Sequence, residues 1–196
     1  MEKQIKARQR VIDYGEVYTA KEQVKAMLNL LPPTLFLETT YLEPACGNGN
    51  FLVEILKRKL NKVSISKNTV LDFFVSVSSI YGVDIQMDNI LEARARLYEM
   101  LIIKYGQLTG TMPSRAVSQT FQRILERNVQ CGDTLAKNDS AGKPLIFCEW
   151  KLRRSGYIIC KEYRYSDILA ADGDCHNCIA KHKYTWLMQV MKRVVA

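Results

Sequence analysis

A chain of 196 residues with 47% hydrophobic and 24% charged side chains is long enough for one domain with a sizeable core, and it reads as an ordinary soluble protein. No stretch offers the roughly 18 uninterrupted apolar residues of a membrane span, and the charged start MEKQIKARQR lacks the apolar run of a signal peptide. The formal net charge is +8, of which +5 lies in residues 151–196, where nine Lys or Arg face four Asp or Glu. Such a surplus suits either a phosphate-bearing partner or a solvated surface. Six cysteines, at 46, 131, 148, 160, 175 and 178, are too dispersed for a small disulfide scaffold, so reduced thiols and a cytoplasmic location are expected.

In chain order, Thr19-Ala-Lys-Glu22 has the spacing of a capping box. Val24, Met27, Leu28 and Leu31 follow at helical intervals, predicting a helix over about 20–31 that Pro32-Pro33 stops. A strand over 40–44 breaks at the turn Ala45-Cys-Gly-Asn-Gly49 and runs into an amphipathic helix over 50–61. The charge-free run 73–83 divides into a helix and a buried strand ending at Asp84. Helices are expected over about 88–105 and 116–127, and RNVQCGDTL reads as a strand ending near Asp133. Alternating strands and helices predict an α/β fold with a mainly parallel sheet, helices on both faces, and ligands bound beyond the carboxyl ends of the strands. After residue 144 the pattern changes. PLIFCEWKL and GYIICKEYRY, joined by Arg-Arg-Ser-Gly, read as an antiparallel hairpin, and 179–195 as a final helix. One domain is expected, with amino-terminal helices over 1–36, a cofactor-binding core over 37–136 and a basic hairpin with a terminal helix over 144–196.

Glu43, Asp84 and Asp133 each fall at the carboxyl end of a predicted strand, around the glycine turn. Any one of them alone reads equally well as a helix cap or a surface charge. A GxGxxG fingerprint starting at Gly47 fails because Leu52 stands where its third glycine belongs, and no Walker lysine follows the turn. A diphosphate ligand is therefore disfavoured. S-adenosylmethionine suits the same frame, since its ammonium, sulfonium, ribose diol and adenine amino group all suit carboxylate partners. In that reading Glu43 faces the ammonium side, Asp84 accepts from both ribose hydroxyls and Asp133 accepts from the adenine amino group.

GEVYTAKEQVKAMLNLL, YLEPACGNGNFLVEIL, IYGVDIQMDNILEARARL and VQCGDTL, in this order, resemble the amino-terminal half of adenine-specific DNA methyltransferases of restriction–modification systems. The resemblance covers about residues 12–136. It implies a Rossmann-like S-adenosylmethionine-dependent methyltransferase fold. By that resemblance Tyr18 and Thr19 border the methionine end of the cofactor, Ala45, Cys46, Gly47, Asn48 and Gly49 form its turn, Asp84 and Ile85 lie at ribose and adenine, and Asp133 lies at the adenine edge.

The family's catalytic loop, Asn or Asp followed by two prolines and an aromatic residue, does not arrive after Asp133. Pro32-Pro33 precedes the turn, Pro144 is single, and Phe147-Cys148-Glu149-Trp150 stands at the expected place. Methylating an aryl amine needs acceptors for its hydrogens and a ring to stack on the flipped base, and Glu149 and Trp150 are the candidates. The competing reading is an alternating strand with Ile146, Cys148 and Trp150 on one face. Cys175, Cys178 and His182 are a weaker metal candidate, because a fourth ligand would have to come from His176, Cys160 or Cys148. Arg153, Arg154, Lys161 and Arg164, interleaved with tyrosines, are candidates for tracking nucleic-acid phosphates. Two functions are thus expected. One is an S-adenosylmethionine-binding, methyltransferase-like subunit that is weak or inactive alone, with DNA and a partner subunit supplying the rest. The other is a minimal methyltransferase with a divergent loop at Glu149-Trp150.

Overall fold

The computed structural model describes residues 5–32, 39–66, 68–152, 157–171 and 177–184. Two short helices, α1 (Arg8–Tyr14) and α2 (Lys21–Leu28), precede the first strand, β1 (Tyr41–Glu43). Helices α3 (Asn50–Leu60) and α4 (Thr69–Ser78) lead to β2 (Ile80–Asp84), and α5 (Met87–Thr109) and α6 (Arg115–Asn128) lead to β3 (Val129–Asp133). These three strands are parallel in the order β1-β2-β3, and the two-residue β4 (Asn138–Asp139) adds an antiparallel edge. The expected mainly parallel α/β sheet is present in this form.

Strand alternation divides the sheet into two faces. Ile80, Val129 and Cys131 point to a cluster built with Leu52 and Leu56 of α3, Phe73 and Val77 of α4, Ile90 and Leu97 of α5 and Phe121 of α6. All four crossover helices share that cluster. The opposite face is covered differently: Val83 packs with Leu145, Phe147 and Tyr165, with Ile168 alongside. Tyr165 and Ile168 belong to the six-residue helix α7 (Tyr165–Ala170). The sequence reading expected helices on both faces, and the second face is in fact closed by one short helix and the start of β5 (Ile146–Leu152).

Beyond the parallel sheet, β5 and β6 (Ile158–Arg164) form the expected hairpin. The expected helix over 179–195 is not formed at its start. Ala180–Tyr184 is strand β7, antiparallel to β6 in the register Cys160↔His182, while residues 185–195 lie outside the described residues. The open edge of β6 satisfies the backbone of these five residues, and their alternation puts Lys181 and Lys183 in solvent. The capping box is also not made. The helix starts one residue later than the box requires, so the N-cap of α2 is Ala20, without a side-chain cap bond, while the Thr19 carbonyl accepts from the Asn50 amide at 2.9 Å.

The turn after β1 requires its glycines. Gly47 and Gly49 have φ of 51° and 89°, and a Cβ on Gly49 would lie 2.9 Å from the Ala93 Cβ of α5. Gly49→Ala therefore meets both backbone strain and overpacking and should cost about 2 to 4 kcal/mol in urea unfolding. Gly110→Ala, at φ 71° with nothing within 4 Å, should cost only about 1 kcal/mol. Equal costs at the two positions would show that the approach of α3 to α5 does not depend on Gly49.

Candidate functional site

A cavity of about 440 Å³ opens at the carboxyl ends of β1, β2 and β3. Of the residues singled out for a cofactor, Tyr18, Thr19, Glu43, Ala45, Cys46, Gly47, Asp84, Ile85 and Asp133 line it. Asn48 and Gly49 do not, because they fasten the turn to α5. The Asn48 amide donates to Glu92 at 2.8 Å, and the Asn48 carbonyl accepts from Arg96 at 2.6 Å.

The strand-end acids are not equivalent. Asp84 Oδ2 accepts from the Gly47 N–H at 3.0 Å, while Oδ1 accepts from the Gln86 N–H at 2.9 Å and from the Asn89 amide at 3.1 Å. A carboxylate offers about four lone-pair sites, so Asp84 retains room for one further donor and not for the two ribose hydroxyls the sequence reading gave it. Asp133 Oδ1 closes the turn after β3 by accepting from the Leu135 and Ala136 N–H groups at 2.8 and 3.0 Å. Its second oxygen accepts nothing among the described residues. Burial pushes the Glu43 carboxyl above its usual value, against a hydrogen bond from the Ala45 N–H, and no described cation approaches it. Cys46 lies beneath the turn, and burial, with Asp84 and Glu43 nearby, keeps its thiol neutral.

Sequence reasoning missed the residue that assembles this end of the molecule. Asn89 is fully buried. Its amide donates to Glu16 at 2.9 Å as well as to Asp84, and its carbonyl oxygen accepts from Lys6 at 2.8 Å and from the Tyr18 hydroxyl at 2.7 Å. Arg10 bridges Glu16 and Asp88. The segment carrying α1 is thereby drawn over the cavity, where Tyr14, Glu16 and Val17 join the lining. Gly47 has no Cβ because one would come within 3.2 Å of the Tyr18 ring. The only sequence signal for Asn89 is its place five residues after a strand-end acid.

The catalytic and nucleic-acid candidates are placed elsewhere. Trp150 packs against α6, with its indole N–H donating to Asn128 at 2.8 Å. Glu149 points to the opposite side of β5, 2.7 Å from Lys151. Neither lines the cavity, so the structure does not bring the two together as a catalytic pair. Ile146, Cys148 and Trp150 share one face, as the alternating-strand reading expected. Lys161 lies on the outer face of the hairpin beside Lys181, whereas Arg164 falls on the other face and approaches Asp167 at 3.8 Å; Arg153 and Arg154 lie outside the described residues. Of the weaker metal candidates, Cys178 is exposed, with its thiol on the Ala180 carbonyl at 3.1 Å. His182 faces Glu162 at 3.0 Å, and Cys175 lies outside the described residues.

Comparison of the chain with family models, with curated proteins and with solved structures gave no match. Among the described residues no helix is long and apolar enough to cross a membrane.

Hydrogen bonds from Arg10 hold the Asp88 carboxyl well below the usual carboxylate range. Burial pushes Glu92 up, but hydrogen bonds from Lys6 and Asn48 outweigh it and leave it lowered. A depressed carboxylate gives stability that is full above its unfolded value and is lost as pH falls through its folded value. Residues 5–19 should therefore stay attached at neutral pH and loosen only below about pH 4, read by hydrogen exchange. Asn89→Leu should free the same segment at neutral pH, accelerate tryptic cleavage after Arg8 and Arg10, and cost about 1 to 3 kcal/mol. Protection of this segment unchanged by that substitution would disprove the hub.

Proposed function

We propose that the cavity binds S-adenosylmethionine, and that the chain is the cofactor-holding part of an adenine-specific DNA methyltransferase-like system with little transfer activity of its own. The observation that carries this reading is the charge of the lining: Glu16, Glu43, Asp84 and Asp133 are there, and among the described residues no Lys, Arg or His is. Glu16 is already paired with Arg10, and a diphosphate would meet the other three carboxylates with no described cation beside them. A ligand bearing an ammonium and a sulfonium meets complementary charge, and Glu43, half-buried without a described cation, is the natural seat of the ammonium. Ile85 and Leu135, both exposed, offer apolar contact to an adenine whose amino group reaches Asp133. One ribose hydroxyl takes the remaining site on Asp84.

Weak transfer by the chain alone follows from the same geometry. Adenine methylation needs an amine acceptor and a stacking ring presented together; no Asn/Asp-Pro-Pro-aromatic run follows Asp133, and the residues at its place, Glu149 and Trp150, diverge across β5 and do not line the cavity. DNA is the proposed macromolecular ligand. Lys151, Lys161, Lys181 and Lys183 occupy the outer face of the three-stranded sheet by register, with Lys183 lying 3.7 Å from the centre of the Tyr157 ring. Lysines beside tyrosines suit phosphates and stacked bases.

Calorimetry tests the cofactor. S-adenosylmethionine should bind the full chain, while NAD and ATP should not. Glu43→Gln should weaken binding about 10- to 100-fold by removing a charge-assisted contact. Affinity for the wild type should fall as pH drops through the raised Glu43 value, since the ammonium needs the ionised carboxylate, and Glu43→Gln should flatten that fall. No heat with millimolar S-adenosylmethionine and a folded chain would overturn the assignment. A methyl-transfer assay on unmethylated DNA tests the second half, and robust turnover by the chain alone would refute it. For DNA binding, log affinity should fall with log salt by about 0.9 per phosphate contacted, and the pair Lys161→Glu and Lys183→Glu should lower that slope by about two. An unchanged slope would mark the lysine face as merely solvated.

A further inference from the structure

The antiparallel sheet has an inner face that the cavity does not use. Register places Cys148 of β5 directly opposite Glu162 of β6, and Cys160 of β6 directly opposite His182 of β7. Cys160 and Glu162 are two residues apart on one strand, so the four positions form a compact rhombus across three strands. The Cys148 and Cys160 sulfurs and a Glu162 oxygen all lie within 4.8 Å of one another, and His182 Nε2 is 3.0 Å from Glu162 Oε1. Both cysteines are buried and reduced.

We infer that Cys148, Cys160, Glu162 and His182 form a binding site for a thiolate-seeking divalent cation of the zinc class, which fastens β7 to β5 and β6. Two sulfurs, one imidazole and one carboxylate are a tetrahedral donor set, and ligand atoms around such an ion are about 3.3 to 3.8 Å apart at ordinary bond lengths. Cys148, Cys160 and Glu162 need to draw together by about an ångström, and His182, already beside Glu162, needs a larger turn toward the two sulfurs. Arg127 of α6 already answers the negative charge of this cluster, since its guanidinium contacts Glu162 and lies 3.8 Å from the Cys148 sulfur. The Arg127 side chain is 39% exposed, so its guanidinium can withdraw into water when an ion enters. Entry is open too, because Glu162 and His182 border a cavity of about 520 Å³ with Arg127, Gln130 and Ile146. Binding releases the thiol protons and converts free ligand side chains into a cross-strand clamp. The site differs from the Cys175, Cys178 and His182 set suggested by sequence spacing, and it is independent of the cofactor cavity.

Cobalt(II) added to the full, metal-stripped chain is the probe, because tetrahedral thiolate ligation gives it intense visible bands and a sulfur-to-metal charge-transfer band. One equivalent should produce both, and zinc should displace it. Cys148→Ser and Cys160→Ser should each weaken uptake at least about 100-fold, beyond the range of outer-shell losses, and Cys178→Ser should leave it unchanged. Should the serine variants fail to fold, the wild type still decides: zinc should protect Cys148 and Cys160 from alkylation, mapped by mass spectrometry, and leave Cys178 reactive. Absence of a thiolate spectrum from the folded chain, or protection confined to Cys175 and Cys178, would overturn the site.

Discussion

The Asp84 carboxylate accepts hydrogen bonds from the Gly47 N–H, the Gln86 N–H and the Asn89 side chain, and so joins three parts of the chain at the end of β2. The first fixes the glycine turn that follows β1, thirty-seven residues earlier. The second closes the step from β2 into α5. The third passes through Asn89 to Glu16, Lys6 and Tyr18, which places the segment carrying α1 over the same spot. Charge-assisted bonds in a partly buried setting are among the stronger single contacts available. Removing the carboxylate would therefore unseat the turn, the helix start and the overlying segment together. A cavity wall made of three distant segments is held at one point, and its shape follows from that point.

How far this was legible in the sequence depends on whether a feature has a local cause. The glycine turn announces itself because positive φ at Gly47 and Gly49 is a backbone requirement written in residue type. The acids at strand ends are legible because hydrophobic runs show where buried strands stop. The near-complete occupation of Asp84 is not legible, since its donors come from residues 47, 86 and 89 and meet only in the folded chain. Strand β7 is a second case. Ala180, Lys181 and His182 have little strand preference of their own, and they extend because the edge of β6 offers backbone partners. Glu149 and Trp150 show the converse: adjacent letters point to opposite sides of a strand, so a pair that looks like one site in sequence is two surfaces in space.

The distribution of charge gives two surfaces of the molecule opposite characters. The cavity collects carboxylates although the chain as a whole carries +8, and the cations it excludes gather on the outer face of β5, β6 and β7. Glu149 tempers that lysine face through Lys151 at 2.7 Å and Lys161 at 3.8 Å. Such exposed pairs contribute little to stability, so their effect is on the field that a polyanion meets. A small cationic ligand and a large anionic one would thus be drawn to different surfaces of one molecule.

Within the cavity, the hydrogen-bond ledger decides which contacts carry selectivity. Asp84 and Asp133 already hold backbone donors, so a ligand finds on each only the oxygen sites the turn leaves over. Glu43 holds one backbone N–H and is desolvated, which makes it the carboxylate with most to gain from an incoming cation. Its raised value also means that its charge is lost at a higher pH than that of an ordinary glutamate. For the proposed cationic ligand, selectivity would therefore rest mainly on Glu43. Asp84, held by three donors, would act as a positioning group, because the contacts that keep it still are already made.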